Sequence, residues 1–294
     1  MPGGTAMHVR SRGQEATPPM SAADLGSALR GYVSAELEAA AAGLDARAGH
    51  HLHAGVHRAR KGMRRARAAL ALGDPVLGPG AILLERELRR VNRSLSELRD
   101  AQALVEVLGR LVGKARDEPT LRVLRRALRK GKADRAAMAR RPELAADLAR
   151  ARALLATLCA ALAGLPWDGI SPAQLAEALA RSSQRIDSAR GKVRDDGSME
   201  DWHRWRRRMR RLSQQHRACV GAGLEWAASL FDKSLAEQLG VMQDLRLLLE
   251  HCGNDSPFVP SDREALKRFA KTAWSRQRDR IASVTKTEIG AAEN

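Results

Sequence analysis

Two stretches of this chain carry the same arrangement of chemically capable side chains. VHRARKGMRRARAAL runs from Val56 to Leu70, and WHRWRRRMRRLSQQH runs from Trp202 to His216. Placing His57 on His203 puts Arg60 on Arg206, Lys61 on Arg207, Met63 on Met209, Arg64 on Arg210 and Arg65 on Arg211. Neither His57–Arg67 nor His203–Ser213 contains an acidic residue. A guanidinium offers a flat fork of donors that fits two phosphate oxygens, and an ammonium adds a point charge. A histidine among them donates most strongly to an oxyanion when protonated. The chemistry these residue types suit is the grip of a polyanion.

Helical geometry sorts each stretch into two faces. His57, Arg60, Lys61 and Arg64 fall on one stripe, with Val56, Met63, Ala66 and Leu70 opposite. His203, Arg206, Arg207 and Arg210 repeat the stripe over an apolar back of Trp202, Trp205, Met209 and Leu212. Ordinary surface helices mix charge signs to gain i,i+4 pairs. Two acid-free stripes in one chain point to a built site instead.

The elements that position these stripes are helices almost throughout. Apolar residues recur every three to four positions, and β-branched and aromatic runs are scarce. The expected helices are 21–46, 50–72, 81–112, 120–137, 143–162, 171–190, 199–229, 231–251 and 261–284. Gly73-Asp74-Pro75 and Gly78-Pro79-Gly80 break the second from the third, and GLPWDGISP from Gly164 to Pro172 marks the midpoint. RGKVRDDGS, from Arg190 to Ser198, reads as a loop, and Ser198 with Asp201 has capping-box spacing. A second pair of segments, from Leu88 and from Phe231, aligns Asp100 with Asp244, Arg89 with Lys233 and Leu95 with Leu239. Offsets of 146 and 144 residues for the two pairs indicate a duplicated unit.

These residues resemble the CHAD domains, the conserved histidine α-helical domains. Val56, His57, Arg60, Lys61, Arg64, Arg65 and Arg67 fit that family's V-H-x-x-R-[VK]-x-x-R-R-x-R hallmark. His203, Arg206, Arg207, Arg210 and Arg211 fit its second H-x-x-R-K-x-x-[KR]-[RK] helix. Leu95 to Asp100 is similar to its L-G-x-x-R-D segment, with Ser96 in place of Gly. The resemblance covers roughly residues 21–285. It implies an all-α fold of two antiparallel four-helix bundles, related by an approximate twofold axis, around a basic groove or pore. The bundles would span 21–165 and 171–285, between tails at 1–20 and 286–294. It also implies binding of inorganic polyphosphate, by His57, Arg60, Lys61, Arg64, Arg65, Arg67, Arg89, Arg93, His203, Arg206, Arg207, Arg210, Arg211 and Lys233. Many members are fused to a triphosphate-tunnel β-barrel, and no strand-rich segment for one is found in this sequence.

Composition agrees with an anionic ligand without naming it. Lys and Arg number 51 against 34 Asp and Glu, a formal charge of +17, and only nine of the cations are Lys. Three scattered cysteines, Cys159, Cys219 and Cys252, form neither a disulfide framework nor a zinc site, so reduced cytosol is expected; the polyphosphate binding that the resemblance implies is also compatible with a scaffold attached to polyphosphate granules. The charge-free run from Ala153 to Trp167 is shorter than the ~20 residues a membrane-spanning helix needs. No cofactor, metal or membrane is expected; His50, His51 and His53 lack a carboxylate or thiolate companion.

Catalysis is not expected. Glu85 and Glu87 echo an E-x-E-x-K phosphohydrolase motif, but that motif belongs on a strand, and on a helix the two carboxylates diverge. Weak, non-specific nucleic-acid binding is expected from charge alone; one Tyr and three Phe give no base-stacking surface. Trp202, Trp205, Trp226 and Trp274 read as core anchors. Basic stripes at 122–132 and 263–271 either extend the groove or are plain surface.

Overall fold

The computed structural model describes residues 22–45, 51–194, 197–227 and 233–292. The expected tail at 1–20, His50, and Asp195 with Asp196 lie outside them. All regular structure among the described residues is helical. The α-helices are α1 (Ala22–Ala42), α2 (Leu52–Leu70), α3 (Gly78–Ser94), α4 (Ser96–Lys114), α5 (Glu118–Ala139), α6 (Leu144–Ala161), α7 (Pro172–Arg194), α8 (Met199–Gly221), α9 (Lys233–His251) and α10 (Pro260–Ala292).

Local chemistry sets several boundaries. The Ser198 Oγ accepts from the Asp201 N–H at 3.2 Å while the Ser198 N–H donates to Asp201 Oδ2 at 3.1 Å, the reciprocal box that starts α8. Asp117 caps α5 by accepting from the Thr120 N–H at 2.8 Å.

Four boundaries differ from expectation. The single helix expected over 81–112 is two, because the chain turns at Leu95 between α3 and α4. No Gly or Pro marks that turn; its partner is the Arg60 side chain, which donates to the Asn92 carbonyl and, at 3.0 Å, to Ser96 Oγ. α7 continues to Arg194, so most of the expected loop is helix. α8 stops at Gly221, eight residues early, before a turn and the short 3-10 segment Glu225–Ala227. α10 runs on to Ala292 and takes in residues assigned to a C-terminal tail.

The helices pack in pairs: α1 on α2, α4 on α5, α7 on α8 and α9 on α10. α2 lies against α8, and α4 against α9. Three apolar clusters hold these pairs together. The largest joins Leu29, Leu37, Met63 and Leu88 to Leu175 of α7 and to Ala218 and Cys219 of α8. A second is built on Trp202, Trp205, Met242 and Trp274, and a third joins Leu108 and Leu124 to Leu248 and Leu266. Trp202, Trp205 and Trp274 are therefore core residues as expected, while the Trp226 side chain lies outside the described residues.

α2 approaches α1 closely because small residues face it. A Cβ on Gly62 would stand 2.6 Å from the Glu36 carbonyl oxygen, and one on Gly55 would stand 2.1 Å from the Gly43 carbonyl oxygen. Ala is favoured over Gly inside a helix by about 1 kcal/mol. Forcing backbones apart in a packed core costs about 1–3 kcal/mol. Gly62→Ala is therefore expected to lower the urea midpoint despite its better helix propensity. An unchanged or higher midpoint would mean that α1 shifts freely.

Candidate anion-binding site

α2, α3 and α8 enclose a cavity of about 750 Å³ whose lining is mostly guanidinium. α2 contributes Arg60, Arg64 and Arg67, α3 contributes Arg89 and Arg93, and α8 contributes Arg204, Arg207, Arg208, Arg210 and Arg211. Asn92, Ser96 and Gln214 are the polar neutral groups in the wall, and no carboxylate is part of it. The apolar backs of α2 and α8 explain the aim of these side chains: Val56, Met63, Trp205 and Met209 are buried, which turns the opposite face of each helix outward into the gap.

Ion pairing divides the arginines into two groups. At the mouth, Arg204 lies 3.3 Å from Asp201 and Arg207 3.7 Å from Glu200, both acids from the first turn of α8. Arg67 pairs with Glu85 at 2.5 Å. Deeper in, Arg64 and Arg210 have no hydrogen-bond or ion-pair partner among the described residues, and the Nε of Arg64 is buried with nothing to donate to. Arg206 likewise has none; it does not line the cavity but stands behind it and acts on both.

The electrostatic consequence is large. Burial, together with the charges of Arg210, Arg60, Arg99 and Arg206, pushes Arg64 down to about 9. Burial, with Arg206, Arg207 and Arg60, pushes Arg210 down to about 10. Burial lowers Arg206 as well, against the pull of Asp244. These guanidiniums stay charged at neutral pH. The shifts measure unrelieved positive potential in a partly dehydrated place, which an anion would relieve.

The remaining expected site residues are distributed around the cavity rather than in it. Arg65 is held by Glu36 of α1 at 2.8 Å. Lys61 is exposed, and the charge of Arg65, then burial, lowers its pKa. His57 is exposed and feels Arg99, Arg64 and Glu106. His203 bonds through Nδ1 to the Gln243 Oε1 on α9. Neither histidine lines the cavity. Lys233 opens α9, but its side chain lies outside the described residues. The stripes at 122–132 and 263–271 do not line the cavity either; Arg126 is tied to Asp262 at 2.5 Å, Lys130 to Asp134 at 2.5 Å and Lys267 to Glu264 at 3.1 Å.

Arg204, Arg208, Asn92, Ser96 and Gln214 belong to the wall and were not singled out from sequence. Arg204 and Arg208 sit in the same acid-free run as the expected residues, so their charge was visible. Their aim was not, because it depends on where α3 packs. No group of three or more His, Cys, Asp or Glu among the described residues is placed to hold a metal ion. No helix among them is long and apolar enough to cross a membrane.

Some positions that align in the sequence have aligned neighbours. Asp100 acts on Arg60, and Asp244, its match, acts on Arg206. His57 is influenced by Arg99, and His203 is bonded to Gln243, the position that matches Arg99. The CHAD domain family matches residues 31–253, a span that contains both His/Arg helices and both Asp positions. The chain belongs to the CHAD family. No curated protein and no solved structure matches the chain. The CHAD match includes α2, α3 and α8 whole, so every wall of the arginine cavity lies inside the family's domain.

Proposed function

We propose that this chain binds inorganic polyphosphate in the arginine cavity and does not break it. The observation that carries the reading is the pair of half-buried guanidiniums in the cavity wall, Arg64 and Arg210, that have no hydrogen-bond or ion-pair partner among the described residues, with Arg206 adding its charge from behind. A linear polyphosphate has about one charge per phosphate and no bases, so charge, spacing and oxygen acceptors are all it offers. Arginine forks on successive turns of two facing helices suit such a ligand. CHAD membership supports the same ligand. The matched Arg–Asp placements in the two halves support an approximate twofold relation, with α2 and α8 as facing equivalents.

The test is competition at fixed salt. Labelled long-chain polyphosphate should bind, resist duplex DNA of equal total charge, weaken steeply as salt rises, and be recovered at its original length after incubation. Easy displacement by DNA would favour a non-specific nucleic-acid binder. Shortened polymer would favour an enzyme.

Histidine titration gives a second expected outcome. Burial and, next, Arg99 lower the pKa of His57; burial lowers that of His203, with Arg246 and Arg207 opposing the Gln243 hydrogen bond. Both are therefore mainly neutral in the empty protein at pH 7. A polyanion nearby favours the charged form and raises both pKa values, so binding takes up protons. Affinity should rise as pH falls through the bound-state pKa values and level off only below the free-state values, which lie under 6.5. Isothermal titration in buffers of different ionisation heat reads the uptake. Zero uptake between pH 8 and pH 5.5 would remove both histidines from the mechanism.

A further inference from the structure

Glu85 is bonded to two arginines of the cavity wall, Arg67 and Arg89. Its Oε1 accepts from Arg67 Nε at 3.0 Å and Nη2 at 2.5 Å, and from Arg89 Nη2 at 3.5 Å. Arg67 and Arg89 both line the large cavity. Glu85 itself lines a smaller space of about 160 Å³ behind it, and Arg211 borders both spaces. The carboxylate thus stands at the boundary, holding two of the cavity's cations from behind. Burial pushes the Glu85 carboxyl up, but the Arg67 bond and the charges of Arg67, Arg89 and Arg211 outweigh it and hold it below its ordinary value, so it is ionised.

We propose that Glu85 is an internal anion that occupies Arg67 and Arg89 in the empty protein and is displaced from them by the phosphates of the ligand, which sets affinity and marks one end of the ligand track. The inference rests on the reading of the cavity as a polyphosphate site. Two donors of Arg67 point at one Glu85 oxygen, so a phosphate that takes the Arg67 fork must break or share that bond. The device exists in one half only. The position matching Arg67 in the second copy is Ser213, and no arginine fork stands there. Arg64 and Arg210, which line the cavity without a partner among the described residues, would take the ligand first, and the Arg67–Arg89 end would follow only against Glu85.

The helix turns a weak sequence signal into this role. Glu85 and Glu87 lie two residues apart on α3, so they diverge. Glu85 faces Arg67 of α2, whereas Glu87 pairs with its own neighbours Arg86 and Arg90 at 3.6 Å each.

The experiment is polyphosphate binding to Glu85→Gln, to Glu85→Asp, and to Glu85→Gln in a chain that also carries Arg67→Gln and Arg89→Gln. Duplex DNA is the second probe, and thermal melting checks the fold. Glu85→Gln should tighten polyphosphate binding about three- to tenfold, the range expected for releasing partly exposed ion pairs. Duplex DNA, too broad for the cavity, should gain clearly less from the same unit change in net charge. Glu85→Asp keeps the charge but withdraws the carboxylate from Arg67, and should also tighten binding. The gain should vanish when Arg67 and Arg89 are Gln. Unchanged or weaker binding by folded Glu85→Gln and Glu85→Asp would overturn the proposal. So would a gain that persists without Arg67 and Arg89, or one equal for DNA. A wild type that binds polyphosphate while these variants fail the test overturns this inference alone; a wild type that binds none overturns the function as well.

Discussion

Changing Arg64, Arg206 and Arg210 together to Gln is expected to abolish most polyphosphate binding and to make the empty protein more stable. Hydrogen bonds to charged groups contribute about 1.5–3 kcal/mol each. Losing the donors of Arg64 and Arg210 from the wall, with the charge of Arg206 behind them, weakens binding on the order of a hundredfold or more. The same three side chains oppose folding in the absence of ligand, because burial depresses all three and repulsion from neighbouring arginines adds to it at Arg64 and Arg210. Gln removes the repulsion and keeps most of the aliphatic stem, so the unfolding temperature should rise by about 2–4 °C for each kcal/mol of repulsion relieved. Titration calorimetry and differential scanning calorimetry on one preparation read both effects. A variant that melts lower than wild type and still binds would assign these arginines to the architecture.

Arg60→Met is expected to act in the opposite direction on stability. Arg60 matches Arg206 in the repeat, yet its guanidinium is committed to the turn between α3 and α4: it donates to the Asn92 carbonyl and to Ser96 Oγ, and Asn92 Nδ2 donates back to the Arg60 carbonyl at 3.0 Å. The last carbonyls of a helix have no intrahelical donor, and Asn92 is third from the end of α3. Asn92 is nearly buried, so deleting its donor leaves a polar group without water or partner. The loss should be about 2–3 kcal/mol, read as a lower urea midpoint. Arg60→Lys should not restore it, since an ammonium lacks the fork that spans two acceptors. Full rescue by Lys would show that only the charge matters at this position.

These two arginines illustrate what the sequence could and could not tell. Arg60 and Arg206 occupy equivalent places on equivalent stripes, and the helices, the apolar backs and the charged faces were all legible from spacing. The capping box at Ser198 was legible because it is local. The division between α3 and α4 was not, because it is held by Arg60, 36 residues away from Ser96. Arg65 illustrates the same limit: it lies within the basic stretch, but Gly62 lets α1 close enough for Glu36 to take its charge. The histidines were expected beside the arginines on one face. In the fold they turn toward α4 and α9, since a stripe on a helix is wide enough to serve two neighbours. Tertiary packing decided which part of each stripe faces the cavity.

The largest apolar cluster has a consequence in time. It begins with Leu25 on α1 and is completed only by residues as late as Ala218, Cys219 and Ala227. A ribosome adds about 5–20 residues per second. The apolar faces of α1 and α2 therefore wait on the order of ten seconds after synthesis before α7 and α8 arrive to cover them. During that interval the nascent chain shows Met63, Ala66 and Leu70 on one side and a dense row of arginines on the other. Such a chain is open to chaperones on its first side and to any polyanion on its second, well before the cavity exists.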